Sequence, residues 1–105
     1  MRPLFVPDAG GERIKLAALG IELRVLVPAA AGAGLVMIEE TTAPGKGPPL
    51  HIHHGQNECF RFLEGEYELL VEDRLYRAIP GAAALVPAGV PHAFRNVGAT
   101  PGRFI

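Results

Sequence analysis

The chain has 105 residues, enough for one domain whose modest core needs no disulfide or metal merely to fold. Hydrophobic residues make up 49% and charged residues 20%, and the net charge is −1, which excludes a disordered chain and a basic surface for nucleic acid or anionic membrane. The absence of serine rules out a serine triad, and the single Cys59 rules out an internal disulfide and fits a reducing compartment.

The opening MRPLFVPDAGGER has prolines and charges where a secretory signal needs an apolar run. No apolar stretch approaches the roughly 20 residues of a membrane span. The expectation is a soluble cytoplasmic protein with neither nucleic-acid nor membrane partner.

Gly and Pro, 13 and 10 of them, then punctuate short runs of Val, Ile, Leu and Phe. IELRVLV (21–27) alternates, with Ile21, Leu23, Val25 and Val27 on one face. PAAAGAG (28–34) is a turn, LVMIEETT (35–42) a strand, and APGKGPPL (43–50) a loop leading into HIH. CFRFLEG (59–65) reads as a strand, and EYELLVEDRLY (66–76) as a hairpin with its tip near Glu72–Arg74. AALVP (83–87) and HAFRNV (92–97) are two more strands. GRFI then starts a strand that is either very short or belongs to a longer version of the chain. No window shows a clear helical period, so the fold class is all-β, a sandwich or barrel, in a single domain over 1–105.

The chemistry concentrates in HIHHGQNE (51–58). In an extended segment His51 and His53 share a face, while Ile52 and His54 point away. Two neutral imidazoles at that spacing can bind one metal ion. Gly55, Gln56 and Asn57 form a turn that resets the strand phase, so Glu58 can face the same centre, with Phe60 and Phe62 following it inward. On its own, HIHH is as much a pair of exposed loop histidines as a metal site. His54 reads as a bystander, and Cys59 as a packed or surface thiol. Further on, Pro87, Gly89 and Pro91 make the tight-turn chemistry that delivers His92 at the start of a strand, with Phe94 and Asn96 on its face. His92 is the remaining histidine that can complete a set of three imidazoles and one carboxylate.

These two segments resemble the paired motifs of the cupin superfamily, in its small single-domain bacterial, quercetin-dioxygenase-like form. Residues 45–65 fit G(X)5HXH(X)4E(X)6G with Gly45, His51, His53, Glu58 and Gly65. Residues 81–96 fit G(X)5PXG(X)2H(X)3N with Gly81, Pro87, Gly89, His92 and Asn96. The resemblance implies a double-stranded β-helix, or jelly-roll barrel. It also implies metal ligation by His51, His53, Glu58 and His92. The alternation itself makes Phe60, Phe62 and Phe94 core aromatics that also wall any site, and with Asn96, which faces the same way as His92, they are the expected pocket lining. The cofactor expected is one divalent transition metal per chain: Fe, Mn, Ni, Cu or Zn. The partner expected is a small-molecule ligand or substrate, with a homodimer as the assembly. A metal-dependent enzyme such as a dioxygenase is the first functional expectation. A non-catalytic binding or sensing domain, and Lewis-acid isomerase or decarboxylase chemistry, are the alternatives. Tyr67 is a weak candidate for a further catalytic group, and Tyr76 and Glu39 are weaker.

Overall fold

The computed structural model describes residues 2–105. The described residues form nine strands: β1 (Glu12–Leu16), β2 (Ile21–Val27), β3 (Met37–Thr42), β4 (Glu58–Glu64), β5 (Tyr67–Val71), β6 (Arg74–Ala78), β7 (Ala83–Val86), β8 (His92–Asn96) and β9 (Gly102–Phe104). Six of them make a sheet in the order β1-β2-β3-β9-β4-β7, and three make a second in the order β6-β5-β8. Every pairing is antiparallel. Two antiparallel sheets facing one another over a shared core are a jelly roll. Among the described residues, no helix is long and apolar enough to cross a membrane.

The period-2 pattern decides which side chains fill the interior. On β8, His92, Phe94 and Asn96 are buried and Arg95 is exposed. On β4, Phe60 and Phe62 are buried between exposed Cys59 and Arg61. Together with Tyr67, Leu69, Val86 and Phe104 they form the core. Phe104 is its hub, with ring centroids 4.9 Å from Phe94, 5.3 Å from Phe60 and 5.4 Å from both Phe62 and Tyr67. Burying each such ring contributes about 1.5–3 kcal/mol, with a further increment from the edge-to-face pairs.

The hairpin tip falls at Glu72–Asp73, where Val71 pairs with Arg74 and Glu72 takes the left-handed φ of 55° that a two-residue turn demands. Two features depart from the sequence pattern. β1 is a strand that the alternation did not announce: all five side chains of ERIKL are exposed, so it lies on the rim and buries no face. And β9, three residues long, sits in the middle of the larger sheet between β3 and β4. It needs a glycine at its start, because a Cβ on Gly102 would lie 2.6 Å from the phenol oxygen of Tyr67.

The outer face of that sheet carries a row of charges. Glu39 accepts from Arg24 at 3.3 Å and from Arg103 at 3.1 Å, and Arg103 also reaches Glu64 at 2.9 Å. This ties β2, β3, β9 and β4 together across their solvent side. Burial alone would raise the Glu39 carboxyl, but the two guanidinium groups outweigh it and hold it below the ordinary carboxylate value. The outward direction of Glu39 removes it from the candidates for catalysis.

Candidate metal centre

The loop 43–50 and the HIH segment lie along the open edge of β8. Gly45 and Lys46 exchange backbone hydrogen bonds with Asn96 at 2.8 and 2.9 Å, and His51 and His92 pair reciprocally at 3.0 Å. The HIH segment forms no named strand and pairs with β8 through that bridge. Pro48 and Pro49 have no N–H to continue the ladder, and Gly47 crosses the Phe94 carbonyl so closely that a Cβ there would lie 1.9 Å from its oxygen. The segment is extended all the same, and the carbonyl of His53 accepts from Gly89 at 2.8 Å. Asn57 accepts from Ala88 at 3.0 Å. The two histidine-bearing segments are thus stitched together by backbone before any metal is considered.

The result is convergence. His51, His53, Glu58 and His92 each offer one ligand atom, and these four atoms lie within 4.8 Å of one another. The rings of His51 and His92 stand 4.3 Å apart, and His53 lies 5.1 and 5.5 Å from them. His92 is buried beneath, while the side chains of His53 and Glu58 are 40% and 31% exposed, so the centre opens on their side. His54 is exposed in the bend that follows and is not among the four.

Whether these residues suit a metal can be tested on their hydrogen bonds. His51 Nδ1 lies 2.8 Å from the Pro49 carbonyl and His92 Nδ1 lies 2.9 Å from that of Val90. A carbonyl oxygen only accepts, so both Nδ1 atoms carry the proton, and each neutral ring presents an Nε2 lone pair to the centre. Glu58 Oε2 lies 2.6 Å from His92 Nε2, and Oε1 lies 3.4 Å from His53 Nε2. The first distance is that of a hydrogen bond, but the direction is not: both atoms are buried without a hydrogen-bond partner. Lone pairs of imidazole and carboxylate aimed at one point are what a divalent cation satisfies. The residues fit the group.

The other expected site residues sort unevenly. Phe60 stands edge-on to His92 at 6.3 Å and walls the centre. Phe94 packs behind it at 6.3 Å. Phe62 lies deeper, with Phe60, Tyr67 and Phe104 as ring neighbours. Asn96 faces inward but lines no pocket: its amide donates to the Thr42 carbonyl at 2.9 Å and the Thr100 carbonyl at 2.8 Å, and accepts from Gly98 at 2.9 Å. It braces one sheet against the other. Tyr67 is fully buried, and burial raises its phenol to about 12; the nearby Thr42 hydroxyl lowers it in part and the charge of Glu40 adds to it. It cannot meet an incoming molecule. Tyr76 is 44% exposed on the rim strand β6, beneath the guanidinium of Arg74. Two surface concavities, one walled by Leu4, Val27 and Leu35 and one by Lys15, Ile21 and Thr41, lie apart from the four ligand residues.

One inward acid was missed. Ile38, Glu40 and Thr42 share a face of β3, and Thr42 pairs with buried Ile21. Glu40 therefore points into the barrel where its neighbour Glu39 points out. The parity of Ile38 was the available signal. Burial pushes the Glu40 carboxyl up to about 7, and the negative charge of Glu58 adds to the rise. In metal-free protein the consequence for stability has a definite sign. The folded value lies above the ordinary 4.5, so the proton favours the fold: that stability is fully present below pH 4.5 and is lost as pH rises towards about 7. Glu40→Gln cannot ionise, so it should outlast the wild type in denaturant near pH 8 by up to about 3 kcal/mol, with the gap closing near pH 4.5. Parallel pH responses in paired denaturation curves would disprove this.

A jelly roll with three imidazoles and one carboxylate gathered at one inner point is a scaffold arranged to hold a metal ion. The chain belongs to the cupin domain family, whose profile matches residues 38–105. It is 42% identical over 53 residues to quercetin 2,3-dioxygenase of Bacillus subtilis (strain 168), covering 49% of this chain and 16% of that protein. It is 29% identical over 92 residues to the HTH-type transcriptional regulator PuuR of Escherichia coli (strain K12), covering 88% of this chain and 50% of the regulator. The chain thus spans about half the length of the regulator and a much smaller part of the dioxygenase. A solved Thermotoga maritima structure described as a predicted oxalate decarboxylase shares the fold, with a TM-score of 0.84 at 19% identity over 96% of this chain and 94% of that one.

Proposed function

We propose that the chain holds one divalent transition metal through His51, His53, Glu58 and His92 and uses it on a small oxygen-bearing molecule, in oxidoreductase chemistry of the dioxygenase type. The observation that carries this reading is the convergence of four ligand atoms within 4.8 Å, two of them buried and otherwise unpartnered. When bound, the ion would supply Lewis acidity or a redox couple for O2. The chain supplies the rest. The Pro49 and Val90 carbonyls fix two ring tautomers, Glu58 is the one carboxylate of the set, and Phe60 shields the inner side from water. One carboxylate against a divalent ion leaves net positive charge, which favours an anionic or enolate-like molecule with an apolar body. The likeness to the Bacillus dioxygenase supports this choice within the family.

O2 uptake tests the reading. Protein loaded with Fe(II), Mn(II), Ni(II) or Cu(II) is offered flavonols, catechols and 1,3-diketones, and at least one pairing should consume O2 faster than the metal or the protein alone. Silence across the whole panel would transfer the reading to ligand sensing. That second reading has its own support, the alignment of 88% of this chain with half of a transcriptional regulator.

A further inference from the structure

Among the described residues, five buried side-chain polar atoms have no hydrogen-bond partner. Glu58 Oε2 and His92 Nε2 belong to the metal centre. The other three, Glu40 Oε2, Thr42 Oγ1 and the Tyr67 hydroxyl, are outside the ligand set. Buried polar atoms without partners are rare, because each one left so costs about 1–3 kcal/mol. The Thr42 and Tyr67 hydroxyls stand near enough to answer one another, so Glu40 Oε2 is the atom left to mark a place shaped for a polar function of something else.

Their arrangement is specific. Glu40 and Thr42 stand two residues apart on the inward face of β3. Thr42 pairs with Gly102, on whose Cα the phenol of Tyr67 rests. Glu40 pairs with Phe104, whose ring packs on Phe60 at 5.3 Å, and Phe60 in turn stands against His92. One inner wall thus runs from the metal centre to Glu40. Thr42 and Tyr67 are wholly enclosed, whereas Glu40 is only partly buried. Its Oε2 is enclosed, but of the three residues Glu40 alone keeps some exposure.

We infer that Glu40 holds a hydroxyl or enol group of the molecule whose other oxygen lies at the metal centre, with Thr42 and Tyr67 behind it as positioning residues. This rests on the metal reading of the four ligands. A carboxylate oxygen accepts from a hydroxyl, and the rings of Phe60 and Phe104 offer an aromatic body a flat apolar wall. The ligand class is therefore a small hydroxylated aromatic or enol rather than a simple anion.

The test uses two probes on metal-loaded protein, 4-nitrocatechol, followed by its visible absorption, and azide, which can meet the ion alone. Metal stoichiometry is measured first on wild type, Glu40→Leu and Glu40→Gln, and should be equal in all three. Glu40→Leu should then weaken 4-nitrocatechol tenfold or more, Glu40→Gln should fall between because it keeps an acceptor, and azide should change less than twofold. Unchanged 4-nitrocatechol affinity, equal changes in both probes, or no 4-nitrocatechol binding to wild type would each overturn the inference while leaving the metal centre standing. Failure of the wild type to bind metal would overturn the metal reading, and this inference with it.

Discussion

Replacing His92 with alanine should strip the metal from the protein, taking occupancy from about one ion per chain to near none after dialysis and lowering affinity at least ~100-fold, beyond what loss of a mere supporting residue does. The reason lies in its placement. His92 is buried, its Nδ1 is anchored on Val90, and its Nε2 stands 2.6 Å from the Glu58 carboxylate. Without it two imidazoles and one carboxylate remain, and the enclosed side of the centre has no ligand. His51→Ala should act in the same way, because His51 is the backbone partner of His92 as well as a ligand. Emptying a buried ring position also perturbs the core, so the decisive companion is His53→Ala. That side chain is 40% exposed, and its loss leaves the core intact while still removing a ligand. His54→Ala should keep full occupancy. Elemental analysis finding metal unchanged in the His51, His53 and His92 variants would reject the centre outright.

The second large effect is structural. Asn96→Ala removes three hydrogen bonds at once and strands the carbonyls of Thr42 and Thr100 and the N–H of Gly98. Asn96 is fully enclosed, so water cannot replace all of them. With buried groups left unpaired at about 1–3 kcal/mol each and some relaxation, the variant should lose about 3 kcal/mol or more. For a domain of this size that lowers the melting temperature by on the order of 15 °C. Asn96→Asp is the sharper probe. It keeps the acceptor for Gly98 but loses both donors, and it faces two carbonyls with an acid. Melts in the presence of chelator separate this effect from metal binding. A loss under about 1 kcal/mol for both variants would mean that the brace is dispensable.

These two residues show what the sequence can and cannot say. The four ligands were legible because metal chemistry needs particular residue types at particular separations. Asn96 was legible as an inward residue, but not as a brace: its role depends on Thr42 and Thr100, which local alternation cannot place beside it. Glu40 was hidden by Glu39. Two adjacent acids on a strand differ only in parity, and the parity is fixed by pairing with β2. That the extended HIH segment pairs through an isolated bridge was not legible, because the pattern of alternation says nothing about whether Pro48 and Pro49 leave donors for a ladder. β1 was missed for the opposite reason, since a rim strand that buries no face has no burial pattern to show.

The position of β9 has a consequence for how the molecule is made. β3 and β4 belong to one sheet only through Gly102–Phe104, which lie between them. Until those residues have been synthesised, β1-β2-β3 and the β4–β7 pair are separate ribbons with open edges, and the aromatic hub lacks Phe104. Assembly of the larger sheet is therefore governed by contacts between distant parts of the chain, which slows folding and prolongs exposure of unpaired edges on the ribosome. The segment that completes the barrel is translated after the metal ligands, all of which lie upstream of it, so they leave the ribosome before the enclosure that will surround them exists.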